Sequence, residues 1–301
     1  MIRRLLNNEN GSTVIIVALL MVVLIGCVAL VVDGGLLYIT EAKISNAIDA
    51  AALAGVQELP YSPTMAVDKA KEYAATNGIN PEKLNVEIFN NNRGIKVEYE
   101  RKVELLFAKI LGFGIGNVDG SAIAQVAPIV GASGAVPLGI QNYNFVFGQT
   151  YTLKVGGGDG STGWFGALAL SKPGAKVYED NLTYGFKGSI RIGDILDIET
   201  GNMSNPTKRA IDYRIGRCNH TPFCNAEKFN PNCDRLLKVP VIEFIESKKV
   251  KVLGFSVFLV DAVTGQGNDS IITGKFVRTV TSGEIDYNGP DYGLYGTKLT
   301  H

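Results

Sequence analysis

Between Ser12 and Val32 the chain reads STVIIVALLMVVLIGCVALVV, 21 residues without a charge, a proline or a side-chain amide. A helix rises about 1.5 Å per residue, so this run matches the roughly 30 Å of hydrocarbon in a bilayer. Buried core helices are rarely apolar on every face over such a length. A cleaved signal sequence would have a shorter apolar region ending in a small-x-small site. Here the run is longer, and Asp33-Gly34-Gly35 leads into further helix-forming residues, so a retained transmembrane helix is expected over residues 12–33. Arg3 and Arg4 precede it and Asp33 follows it, with no Lys or Arg until Lys43. The positive-inside bias then leaves residues 1–11 as a cytoplasmic tail and sends the rest of the chain outward.

Beyond the span the period stays helical. From Gly35 to Leu59 there is no proline, and Leu37, Ile44, Ala47, Ile48 and Ala51 recur on one stripe that narrows to small residues. This stripe predicts docking on the chain's own domain, and its small residues leave a helix-mediated oligomer open. Pro60 and Pro63 end the helix, and a second one is predicted over 64–77, capped by Ser62 or Thr64. Two alternating runs, LNVEIFN (84–90) and GIKVEYERKVE (94–104), read as a hairpin turned by Asn91-Asn92-Arg93 with Gly94 supplying a positive φ. LLFAKILGF (105–113) suggests a short helix and residues 117–130 a strand.

Past residue 136 the pattern changes. Strand-like runs appear at 145–155, 164–170, 189–192, 237–246, 249–263 and 271–281, with one short helix predicted at 206–216. The fold class is thus α+β: a transmembrane helix extended into a small α/β domain (34–130), a Gly-Ala-Ser-Gly linker (131–136), and a β-rich, sandwich-like domain (137–301).

Composition narrows the function. The charges balance at 29 basic and 29 acidic, and no basic stretch is interleaved with aromatics, so nucleic acid is not an expected partner. Histidine occurs only at His220 and His301, which excludes H-E-x-x-H, and there is no G-x-S-x-G. Carboxylate pairs such as Glu179/Asp180 and Asp194/Asp197 fit solvated loops better than glycoside cleavage. The glycine run 156–161 lacks the Lys-Ser/Thr of a phosphate loop and reads as a turn. No catalytic residues and no cofactor are expected.

One chemical cluster stands out: Cys218, His220, Cys224 and Cys233. In an exported region a disulfide between two of the three cysteines is the plainer reading, and a Cys₃His zinc site is the alternative, against which the uneven spacing weighs. Cys27 lies in the apolar span as a small apolar residue.

The N-terminal motifs taken together resemble the TadE/TadG-like family of Tad (Flp) pilus-assembly proteins. These are Asn10-Gly11-Ser12, the apolar span, Val31-Val32-Asp33-Gly34-Gly35-Leu36-Leu37-Tyr38 and Asn46-Ala47-Ile48-Asp49-Ala50-Ala51-Ala52-Leu53-Ala54-Gly55. The resemblance covers about the first 60 residues and, more loosely, the stretch to residue 130. It implies a bacterial, single-pass, non-catalytic structural or assembly component of a tight-adherence pilus or related secretion system, working on the lipid bilayer with other Tad proteins or pilin subunits. Two alternatives stand beside it: a minor pilin-like subunit built into the filament through its first helix, and an envelope enzyme acting on glycan or peptide. Pilin-like relatives are cut after Gly and carry Glu at the fifth mature position. Ile16 stands there, which argues against processing at Gly11-Ser12. Some relatives carry a D-x-S-x-S metal motif, which this chain lacks.

Overall fold

The computed structural model describes residues 9–142, 144–155, 164–265 and 270–300. The chain forms two compact units, Met1–Gln125 with Leu299–His301, and Val126–Lys298.

The first unit is built around helix α1, Glu9–Val56, 48 residues long and thus about 72 Å from end to end. It continues through Gly34-Gly35 without a break, as the sequence predicts. From Thr13 to Val32 its side chains are exposed on all sides apart from Ala29, and the helix is long and apolar enough to cross a membrane. The other half behaves differently. Ile44, Ala47, Ile48, Ala51 and Ala52 are buried, as the apolar stripe requires.

Helix α2, Pro63–Thr76, begins with a proline and brings Ala66, Ala70 and Ala74 to its buried face. Proline suits a first turn because its missing N–H would be unpaired there anyway. Ser62 occupies the cap position but makes no side-chain cap bond. Strands β1 (Asn85–Phe89), β2 (Gly94–Glu104) and β3 (Ile115–Ser133) are each antiparallel to the next, with Ile95 opposite Ile88 and Ala124.

Small residues set how closely these layers approach. A Cβ on Gly55 would lie 2.6 Å from Ile95 Cδ1 and 2.7 Å from the Ala66 carbonyl oxygen. One on Gly120 would lie 2.8 Å from Ile48 Cδ1. Helix α1 therefore meets α2 backbone to backbone at Gly55, while at the sheet each glycine receives an isoleucine side chain from the facing layer.

The hairpin forms, but by other turn chemistry than the sequence suggests. Asn90, Asn91 and Asn92 take the left-handed conformation, which asparagine tolerates better than most residues. Gly94 is extended, and what it provides is room for the Phe89 ring beside it. The helix expected at 105–113 is only a 3-10 turn, Ala108–Leu111.

The second unit has two sheets. Residues 131–136, expected as a linker, contain the end of β3 through Ser133 and the buried Ala135 and Val136. Strands β7 (Ser189–Arg191) and β13 (Glu284–Ile285) pair with this end of β3, and β12 (Thr279–Val280) pairs in parallel with β14 (Leu294–Thr300). A seven-stranded sheet runs β11-β5-β6-β4-β9-β10-β8. In that order the strands are Ile271–Val277, Thr150–Val155, Trp164–Ala169, Leu138–Gln141, Leu236–Glu246, Lys249–Thr264 and Ile195–Ile198.

Both faces of this sheet are covered. On one side Val250, Val252, Phe255, Val257 and Leu259 pack with Ile129, Ala132, Ile190 and Leu294. On the other, Phe258 and Val260 pack with Tyr178, Leu182, Ala210 and Ile211, which come from helices α3 (Ala175–Tyr184) and α4 (Ser204–Gly216). Burial of both faces explains why β10 reads as a nearly unbroken apolar run. Helix α3 corrects the expectation that the one helix here spans 206–216. The glycine run 156–161 lies outside the described residues.

Candidate functional site

Two constructed features carry chemistry, one in each unit. The first is Asp33, where the exposed apolar stretch of α1 ends. The residue is only 5% exposed, and its carboxylate accepts three backbone N–H bonds: from Leu106 (2.8 Å) to Oδ1, and from Phe107 (3.0 Å) and Ala108 (2.6 Å) to Oδ2. These donors open the 3-10 turn Ala108–Leu111, whose start has unpaired N–H groups and a partial positive charge. A carboxylate 73 residues upstream thus acts as the turn's cap. From sequence, Asp33 marks only the outer end of the span. The absence of Ser, Thr, Asp or Asn from Glu104 to Phe107 was the available sign that the cap comes from elsewhere.

The clamped loop is apolar. Leu106, Ile110, Phe113 and Ile115 are all exposed, Ile110 by 76% and Phe113 by 69%. Arg3 and Arg4 lie outside the described residues, and the Gly11-Ser12 bond lies within the first turns of α1.

In the second unit Cys218, His220, Cys224 and Cys233 converge. One ligand atom from each lies within 4.8 Å of all the others. Cys218 Sγ is 3.7 Å from His220 Nδ1 and 3.5 Å from Cys233 Sγ. The four cysteines of the chain are free thiols, so the expected disulfide has no support here.

The backbone explains the convergence. Cys218 follows α4, with its N–H on the Ile215 carbonyl, and Cys233 precedes β9, its carbonyl accepting from Leu236 N–H. Between them the chain makes successive turns: Asn225 Oδ1 accepts the N–H groups of Glu227 and Lys228, and Asn230 Oδ1 that of Asn232. Arg235, 2% exposed, fixes the loop to β10. Its guanidinium donates to the Val260 carbonyl, the Cys224 carbonyl and Asp261 Oδ1, each at 2.7 Å, and lies 4.2 Å from the centre of the Phe223 ring. Arg214 donates to the carbonyls of Leu182 and Asp234, and Arg217 pairs with the Asp234 carboxylate at 2.7 Å.

The thiols are electrostatically unlike. Burial opposes the Cys218 thiolate, but His220, the Cys224 backbone, Cys233 and Arg235 together outweigh it and bring the thiol down to about 6. Burial pushes Cys233 up to about 12, and its two neighbouring sulfurs add to the effect.

The carboxylate pairs do not converge into acid–base sites. Glu179 is held by Arg209, which lowers its pKa through a direct hydrogen bond, while Asp180 pairs with Lys176 at 2.8 Å. Asp194 and Asp197 are exposed, and Asp194 accepts the Arg191 N–H at the β7 turn.

Comparison with known proteins bears on the first unit. Residues 11–58 match the family model Tad, putative Flp pilus-assembly TadE/G-like. The matched stretch covers the apolar half of α1, Asp33 and the Ala-rich stripe. No curated protein and no solved structure matches the chain.

Proposed function

We propose, with the TadE/G-like N-terminal segment as premise, that the chain is a membrane-anchored, non-catalytic component of a tight-adherence pilus assembly system. The observation that carries this reading is α1 itself. One continuous helix joins an apolar stretch, exposed all around, to a buried Ala-rich face. Exposed apolar surface of that extent is unfavourable in water and favourable in lipid. Residues 1–11 remain cytoplasmic, and the chain beyond Asp33 lies on the outer side of the membrane, where it contacts pilin subunits or other assembly proteins.

Fractionation tests the anchor. The full-length protein should sediment with membranes and require detergent for release. Protease added to intact cells should destroy the region beyond Leu59 while sparing the segment that carries Arg3 and Arg4. Protein in the soluble fraction, or protection of the outer region, would overturn the reading.

A second reading, a minor pilin-like subunit, is favoured by the unbroken length of α1, a shape suited to packing in a filament. Mass spectrometry separates the two: a mature N-terminus at Ser12 supports the subunit, and retention of Arg3-Arg4 supports the anchor.

A further inference from the structure

We propose that Cys218, His220, Cys224 and Cys233 hold a structural zinc ion that ties the end of α4 to the start of β9. Tetrahedral zinc with Zn–S near 2.3 Å and Zn–N near 2.0–2.1 Å holds its donors roughly 3.5–3.8 Å apart. The 3.7 Å between Cys218 Sγ and His220 Nδ1 and the 3.5 Å between Cys218 Sγ and Cys233 Sγ match that spacing. Three thiols and an imidazole form a Cys₃His set, which zinc favours over hard, oxygen-seeking cations.

A disulfide would use two sulfurs and leave the third cysteine and His220 with no role. Spacing along the chain argued against a metal, but the turns between Cys224 and Cys233 bring the donors together in space. All three cysteines are buried, and four protein ligands leave no position for water or substrate, so the site is structural.

Groups around the donors behave as supports. The Asn230 N–H points to Cys224 Sγ at 3.4 Å, and Arg235 holds the Cys224 carbonyl at 2.7 Å. Such outer contacts orient ligands and tune a metal site. The zinc would also supply what the loop lacks, since among the described residues the partly buried apolar side chains packed against the cysteines are Phe229 and Leu236.

The test is metal analysis of the full-length protein purified from membranes in detergent without chelator. About one zinc per chain is expected, with Cys224→Ser and His220→Ala losing it and Cys27→Ser keeping it. To separate metal loss from unfolding of a ligand variant, cobalt(II) is also added to chelator-stripped wild-type protein. Tetrahedral thiolate–cobalt bands in the visible spectrum support the site. Absence of both zinc and those bands, or a disulfide joining two of the three cysteines in the purified protein, overturns it.

A separate observation carries a second proposal, which rests on the membrane anchor proposed above. We infer that the loop carrying Leu106, Ile110, Phe113 and Ile115 inserts into the outer lipid interface. Asp33 binds the loop's backbone where the apolar span ends, so the exposed side chains sit at the level where lipid gives way to water. Lys109 lies among them, and a long basic side chain can keep its charge at the headgroups.

Single Trp substitutions at Ile110, Phe113 and Leu24 are compared in vesicles containing brominated lipid. Quenching in excess of the parent protein at all three supports the proposal. Quenching at Leu24 alone defeats the loop and leaves the anchor standing, whereas no quenching at Leu24 defeats the anchor.

Discussion

Asp33 Oδ2 accepts the backbone N–H of Ala108 at 2.6 Å, so a side chain at the end of the apolar helix stretch sets the fold of a loop late in the first unit. Loss of this carboxylate should loosen the loop selectively. In Asp33→Ala, amide exchange at Leu106, Phe107 and Ala108 should rise on the order of tenfold or more, because three donors lose their acceptor together. Asp33→Asn, with one acceptor oxygen, should fall between the two. Hydrogen exchange followed by mass spectrometry checks this, and unchanged protection in Asp33→Ala would refute the clamp.

Close approach at Gly55 leads to a second expectation. Gly55→Val would drive side-chain atoms into the Ile95 side chain and the Ala66 carbonyl. Overpacking of this kind costs about 1–3 kcal/mol. Denaturant unfolding of the protein in detergent should show that loss, while Gly34→Ala, at a position with open space, should leave stability unchanged or slightly raise it.

Arg235 provides a third. Its three bonds and its stacking on Phe223 are made from a buried position. Arg235→Ala leaves the buried carbonyls of Val260 and Cys224 without this donor, which costs about 1–3 kcal/mol, while Asp261 is exposed enough to be solvated without its partner. Thermal unfolding of the second unit measures the loss. Arg235→Lys should recover only part of it, because an ammonium group lacks the planar fork that reaches all three acceptors.

The ion pair between α3 and α4 predicts a pH dependence. Arg209 lowers the Glu179 pKa in the folded protein relative to the usual 4.5. A lowered carboxylate stabilises the fold above the unfolded-state pKa, and that contribution disappears as pH falls through the folded value. Wild-type stability should therefore decline below about pH 4.5 more steeply than that of Glu179→Gln. Parallel acid unfolding curves for the two proteins would contradict the assignment.

What the sequence disclosed followed from local pattern. The apolar span, the stripe from Ile44 to Ala52, helix α2, the hairpin and the long runs of β9 and β10 each rest on a period legible within a dozen residues. Helix α3 escaped because it is only 10 residues long and buries just Tyr178 and Leu182. Its flanking glycines and polar residues look like a loop until the sheet beneath it is known. The hairpin turn was legible as a turn, but three successive left-handed asparagines were not, since each pays a small backbone cost that only the strand register compensates. The functional residues were legible as types, and their spatial partners were not. Asp33 meets donors 73 to 75 residues away, and the Cys–His cluster depends on turns whose directions spacing does not encode.

The unbroken course of α1 has a mechanical consequence. A chain that enters its first folded unit through a linker can swivel, and a pull on that unit is absorbed by the slack. Here the same rod that would sit in lipid is also a structural beam of the unit, gripped by α2 and the sheet. Axial load placed on the first unit by a growing fibre would pass straight down that rod, and tilting of the rod in the bilayer would swing the unit with it.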